Sequence, residues 1–209
     1  MQPEAETLAP PVVAIPEWLI YEVVDGKPIY YRGYKKYLSG ELVNGDQHIL
    51  PHHTAMGSSI LQSEFTGYLL LAIGRLLDHH QYRLATNEAG LQLAKSETRS
   101  GDIVIYEKEK LRQQADRKKY ATIPPKVVIE IDIEADLESS SDLAYISQKN
   151  ESLFAFGVER VFWILTETAQ VIIAEPNQEW RIRSWQIPVE ILEGVTVHIG
   201  EIAADVMGE

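Results

Sequence analysis

From Trp18 onward the hydrophobic positions fall into short period-two runs, interrupted by two long stretches of helical spacing. Strand side chains alternate between faces, whereas helical ones recur every three to four residues, so the pattern predicts a mixed α/β chain. Residues 19–24 and 29–32 flank Asp25-Gly26, and 41–43 and 48–50 flank Asn44-Gly45. Both dipeptides supply the positive φ angles of tight turns, so two β-hairpins are expected near the start. A helix is expected over 54–79 with Thr54 as N-cap, its core face made by Ile60, Leu61, Tyr68, Leu71 and Ala72. Strands follow at 82–86, 91–94 and 102–106, and 107–120 reads as a helix or loop closed by Pro124-Pro125. A second helix, 142–156, is preceded by the cap-forming serines 139–141 and followed by Gly157, which suits a left-handed helix end. Its expected core face is Leu143, Ile146, Leu153 and Phe154. Residues 160–165 and 170–174 form a hairpin by spacing, 180–186 a partly exposed strand, and 195–199 a last strand before a short closing helix.

The run 125–134 stands out. Val127, Ile129, Ile131 and Ile133 form one apolar face, while Glu130, Asp132 and Glu134 share the other at spacings of about 7 Å, twice the rise per strand residue. Like charges so placed repel one another and resist burial. Two readings account for them: a solvated face, or a bound divalent cation, since hard cations take clustered carboxylate oxygens. Three further residues bear on that choice. Asp102 opens a strand directly after Gly101, and Glu64 falls within the apolar face of the first helix, with Arg75 close by. A carboxylate there needs a partner, a ligand or solvent. Lys149 lies one turn from Tyr145 and from Leu153. Its ammonium either snorkels to water or reaches over the sheet toward the acidic strand.

Composition narrows the chemistry. There is no cysteine, which excludes disulfides, thiolate metal sites and cysteine nucleophiles. No apolar run approaches the ~18 residues of a membrane span, and 1–16 lacks the basic and apolar regions of a signal peptide. The expectation is a cytoplasmic protein with no membrane partner: a mobile tail, 1–16, then one domain, 17–209. The net charge of −12 opposes broad nucleic-acid binding, which depends on lysine and arginine. Lys108, Lys110, Arg112, Arg117, Lys118 and Lys119 nevertheless gather in one segment. That segment is either a solvated face, given the interleaved Glu107, Glu109 and Asp116, or a local patch that steers phosphate.

The order of elements resembles the restriction-endonuclease-like superfamily, with its PD…(D/E)-x-K signature, and more closely the Uma family of proposed endonucleases. Four stretches carry the resemblance: Tyr21 to Gly26, Gly101 to Ile105, Pro124 to Glu130, and Lys149 with Leu153, Gly157-Val158 and Val161-Phe-Trp-Ile164. It implies a restriction-endonuclease-like core, a mixed β-sheet flanked by helices with N-terminal hairpins. It implies that Asp102 and Glu130 bind Mg²⁺, or Mn²⁺, and that Lys149 takes the part of the signature lysine moved to the next helix. Glu64 matches the place of a helix carboxylate that some members add to the metal site. Gly101 stands where the signature proline is usual. Asp132 stands in the catalytic position where the unmoved lysine would be, so activity requires Lys149. The function implied is metal-dependent DNA endonuclease, acting as a homodimer with DNA held by the local basic patch. The alternative is a catalytically inactive nuclease fold that serves as an interaction or regulatory module, which Asp132 and the charge of −12 favour.

Overall fold

The computed structural model describes residues 22–24, 27–29, 59–95, 97–132 and 140–208, with backbone alone at 22–24, 27–29 and 140–142. In chain order the elements are β1 (Glu22–Val24), β2 (Lys27–Ile29), α1 (Ile60–Leu76), β3 (Tyr82–Ala94), β4 (Glu97–Glu107), α2 (Lys108–Leu111), β5 (Val127–Asp132), α3 (Ser140–Phe156), β6 (Arg160–Leu165), β7 (Gln170–Ala174), β8 (Arg181–Ser184), β9 (Val189–Leu192), β10 (Val195–Val197) and α4 (Ile199–Met207).

Eight strands form one sheet in the order β2-β1-β4-β5-β6-β7-β8, with β3 also paired to β4. Strand β4 is long enough to hold β3 along one edge, while its other edge meets β1 at Thr98 and β5 at Ile103 to Ile105. The pair β5–β6 is parallel and its neighbours are antiparallel. Parallel neighbours need a crossover connection, and α3 supplies it. The expected mixed sheet flanked by helices is therefore the observed architecture. The period-two pattern of β5 explains the layering. Val127, Ile129 and Ile131 pack with Phe65, Leu69 and Ile73 of α1 and with α4, whereas Val128 packs with Ile146 and Leu153 of α3.

Several expectations change. The strands expected at 82–86 and 91–94 are one strand, because Asn87 and Glu88 form a bulge without ending the pairing. Strand β9, unforeseen, pairs with β10 in a separate two-stranded sheet. Helix α1 is capped by Ser59, whose side chain accepts from the Gln62 N–H at 3.1 Å, rather than by Thr54, and it stops at Leu76, where Leu77 turns extended. Its core face is also rotated from the expected one. Phe65, Leu69 and Ile73 are fully buried, with Phe65 stacked on Trp185, while Ile60, Tyr68 and Leu71 are exposed. The physical reason is that this helix is apolar nearly all round, so spacing alone does not select the face. Thr54, the second hairpin, Glu134 and the tail lie outside the described residues. The first hairpin is present, with Glu22 opposite Ile29 and Val24 opposite Lys27. Gly157 ends α3 with φ +113° as its position suggested.

Candidate active site

Where β4 and β5 part, the sheet leaves a fork. Their ladder runs from Ile105 opposite Val127 to Ile103 opposite Ile129 and goes no further. One residue on, the Asp102 side chain takes over: its Oδ2 accepts the Ile131 N–H at 2.7 Å. The other half of that peptide register, the Ile131 carbonyl, accepts from Gln62 Nε2 of α1 at 2.9 Å. Backbone groups removed from water need partners, and a carboxylate and a carboxamide here replace the missing ladder. Across the fork, Thr86 Oγ1 donates to the Asp102 carbonyl at 2.8 Å, which fixes the Asp102 backbone to β3.

Glu130 lies on the α3 side of β5 and is 8% exposed; Lys149, on α3, is 2% exposed. The Lys149 ammonium is 3.3 Å from Glu130 Oε2 and donates to the Tyr145 hydroxyl at 3.4 Å. It also lies 5.8 Å from the ring centroids of Tyr145 and Trp163, which meet edge to face. An ammonium over aromatic faces is attracted by their quadrupoles. Helix spacing and strand register account for the arrangement: Tyr145 and Lys149 are one turn apart on α3, and Trp163 stands beside Glu130 in the parallel β5–β6 register. The Trp163 ring is held by its Nε1–H, which donates to Asn150 Oδ1 at 3.0 Å with both residues buried.

Electrostatics link Asp102 to this pair. Burial pushes the Asp102 carboxyl above its ordinary 3.8, and the neighbouring Asp132 adds to the rise. The Ile131 N–H, the Lys149 charge and a hydrogen bond from Gln62 act in the opposite direction without cancelling it. Gly101 makes room for the cluster: a Cβ there would sit 2.9 Å from Val104 Cγ1, 3.0 Å from Val128 Cγ1 and 3.5 Å from Glu130 Oε1.

The structure thus brings Asp102, Glu130 and Lys149 together, with Asp132 next in line and half-buried. It does not bring Glu64, which is exposed on α1. Its neighbour Gln62 reaches the fork instead. Two residues missed in the sequence belong beside the site. Gln62 gives no signal there, being a polar residue in a helix. Arg99, 1% exposed, donates to Ser152 of α3 at 2.8 Å; a lone arginine in a run of polar strand residues carries no mark of burial.

The basic segment divides in two. Lys110 and Arg112 are each 2.6 Å from a carboxylate, Glu107 and Glu109, at the far end of β4 from Asp102. The chain then doubles back, and Ala121 pairs with Gly90 and Gln92 on the outer edge of β3. Exposed Arg117, Lys118 and Lys119 are thereby brought toward the level of Gly101 in the sheet, with Ala121 about two strand spacings, or ~10 Å, across it.

Asp102 and Glu130 supply two carboxylates from adjacent strands, the number Mg²⁺ commonly uses while waters fill its remaining positions. Among the described residues, no group of three or more His, Cys, Asp or Glu side chains gathers to hold a metal. Among the described residues there is also no helix long and apolar enough to cross a membrane.

No family model and no curated protein matches the chain. Among solved structures, the fold is similar to that of a protein from Anabaena variabilis ATCC 29413 described as "a putative nuclease belonging to DUF820". The likeness has a TM-score of 0.61 at 12% identity and covers 88% of this chain and 90% of that one. The chain therefore shares the α/β fold of that protein, and the mixed sheet flanked by helices that its order of elements suggested is present, with the fork of β4 and β5 near its centre.

Proposed function

We propose that this chain is a metal-dependent endonuclease that hydrolyses phosphodiester bonds in DNA. The observation that carries the reading is the buried Lys149 ammonium, 3.3 Å from Glu130 and close enough to Asp102 to act on its carboxyl. Two carboxylates alone suit many roles. A lysine drawn under the sheet to face them, against the cost of burying an ammonium, suits a reaction in which negative charge grows.

In this reading Asp102 and Glu130 hold one Mg²⁺. The bound ion supplies an acidified water and neutralises charge on the phosphate. Lys149 orients the attacking water and stabilises the transition state from a dry site, where fixed charges act most strongly. Tyr145 and Trp163 keep its ammonium in place. Asp102, anchored by the Ile131 N–H, would be one of the two carboxylate ligands of the ion. Asp132, half-buried and close enough to raise the Asp102 pKa, is a carboxylate and not a lysine, so the catalytic cation comes from α3 rather than from β5. Arg117, Lys118 and Lys119 supply the local positive surface toward DNA. A non-catalytic binding module remains the second reading, favoured by the acidic charge of −12.

Plasmid nicking with Mg²⁺ or Mn²⁺ separates the two. Lys149→Met preserves the length and the aromatic contacts of the side chain but removes its charge. Nicking by the parent protein and at least about a hundredfold less by Lys149→Met supports the nuclease, since electrostatic groups of this kind contribute roughly 10²–10³ in rate. Equal nicking by both overturns the role of Lys149.

A further inference from the structure

Between α1 and the bulge of β3 runs an open groove of about 560 Å³ whose lining includes Asp102. Asp102 apart, the chemistry above does not use its lining, and its size is within the ~300–1,000 Å³ of small-molecule sites. Among the described residues that line it there is no lysine or arginine, and two are carboxylates, Asp102 and Glu88. Its hydroxyls are engaged as donors within the protein. Ser63 Oγ donates to the Ser59 carbonyl at 2.6 Å, Thr66 Oγ1 to the Gln62 carbonyl at 2.7 Å, and Thr86 Oγ1 to the Asp102 carbonyl at 2.8 Å. A hydroxyl that donates inward presents lone pairs outward. Beside the carboxamides of Gln62, whose Nε2 donates to the Ile131 carbonyl, and Asn87, the lining therefore presents mostly acceptors and negative charge, and matches a ligand that carries N–H groups.

Gly67 adds an independent observation. Glycine weakens a helix interior, and here, among the described residues, a Cβ would meet nothing within 4 Å. Among the described residues, packing does not call for glycine at this place, and the room it leaves opens on the groove. On the opposite wall, Asn87 and Glu88 both have positive φ, +68° and +49°. Such strain in non-glycine residues persists where the surroundings fix it and gathers at functional sites.

We propose that this groove receives one unpaired nucleobase beside the scissile phosphate and prefers bases with an exocyclic amino group over thymine. The inference rests on the nuclease reading of Asp102, Glu130 and Lys149, and adds to it a substrate class, a strand whose bases are free to leave the stack. A base inside a duplex must be extruded before it can enter such a groove. Amino groups meet the acceptors of the lining, whereas thymine presents mainly carbonyl oxygens and a methyl group.

The test uses fluorescence anisotropy with labelled single-stranded oligo(dA), oligo(dC) and oligo(dT), with Ca²⁺ replacing Mg²⁺ to hold off cleavage. The parent protein is expected to bind oligo(dA) and oligo(dC) about tenfold more tightly than oligo(dT), the scale of one well-made base contact. G67L fills the groove and should remove that preference, while its Tm is equal or higher and its Mn²⁺ affinity is unchanged. No base preference in the parent, or the same preference in a folded G67L, overturns the proposal. Failure of the metal site registers separately, as Mn²⁺ affinity that does not respond to Asp102→Asn, and that measurement leaves the oligonucleotide comparison intact.

Discussion

Strand β5 is bordered at both ends by lysine–carboxylate contacts, and water treats them differently. At its start, Lys126 lies 2.5 Å from Glu159 and 3.3 Å from Glu107, and Lys110 joins the group at 2.6 Å from Glu107. These side chains are from 24% to 54% exposed. Toward the other end, Glu130 and Lys149 are 3.3 Å apart with side chains only 11% and 3% exposed. The first group has the shorter contacts and more of them, yet solvent screens it, so its worth is about 1 kcal/mol or less per pair. The second makes a longer contact in a place where neither charge has water to fall back on. Distance alone would rank the two ends wrongly; burial decides which pair can do chemistry.

Breaking the buried end should have the largest effect. Glu130→Ala leaves an ammonium enclosed by Tyr145 and Trp163 without its carboxylate, and losing one partner of a buried pair costs about 3–5 kcal/mol. Urea denaturation should show that loss for Glu130→Ala, and most of it should return in the double variant Glu130→Gln/Lys149→Met, which buries neither charge. A double variant as unstable as Glu130→Ala would mean the pair is not what holds this part of the fold.

Asp102 sharpens the comparison, because its shift runs against the usual one for a paired carboxylate. Burial raises its pKa above 3.8, so the folded protein holds this proton more tightly than the unfolded chain. Stability from this group is therefore greatest at low pH and falls as pH rises from the unfolded value to the raised folded one. Asp102→Asn keeps an acceptor for the Ile131 N–H and removes the charge. Its Tm at neutral pH should equal or exceed that of the parent, and the parent's metal binding should weaken on acidification while pH is still above 3.8. A Tm lowered by many degrees would contradict the account.

At the solvated end the expected effect is small. The Lys110 hydrogen bond lowers the Glu107 pKa, and although burial works against the Lys126 ammonium, Glu159 and then Glu107 raise its pKa above 10.5. The Glu107 contribution is present above its unfolded pKa, near 4.5, and is lost as pH falls through the lowered folded value. That of Lys126 is full below 10.5 and lost as pH rises through its raised value. Glu107→Gln should cost about 1 kcal/mol or less by denaturant titration and leave metal affinity unchanged. A larger cost would make this group a structural anchor.

The same contrast explains what could be read from the sequence. Alternation in β5 placed Glu130 opposite the apolar face, and the spacing of Lys149 from Tyr145 put the two on one side of a helix. Both inferences depend on local periodicity, which sequence displays. The place of Gln62 depends on where β4 and β5 part, and the Asn87-Glu88 bulge on the β3–β4 register, both properties of the whole sheet. Helix α1 shows the limit most plainly: Ile60, Tyr68 and Leu71 are apolar like Phe65, Leu69 and Ile73, and it is the packing of the latter against β5, α4 and Trp185 that distinguishes the faces. The expectation for Glu64 was tied to the wrong face.

The central claim is that Asp102 and Glu130 hold one divalent metal beside Lys149. Titration with Mn²⁺, followed by its electron paramagnetic resonance signal, tests it most directly in the parent, Asp102→Asn and Glu130→Gln. The account predicts one site in the parent, weakened at least about tenfold in each folded variant, as loss of a carboxylate ligand requires. Equal Mn²⁺ affinity in all three proteins, or none in the parent, would contradict it.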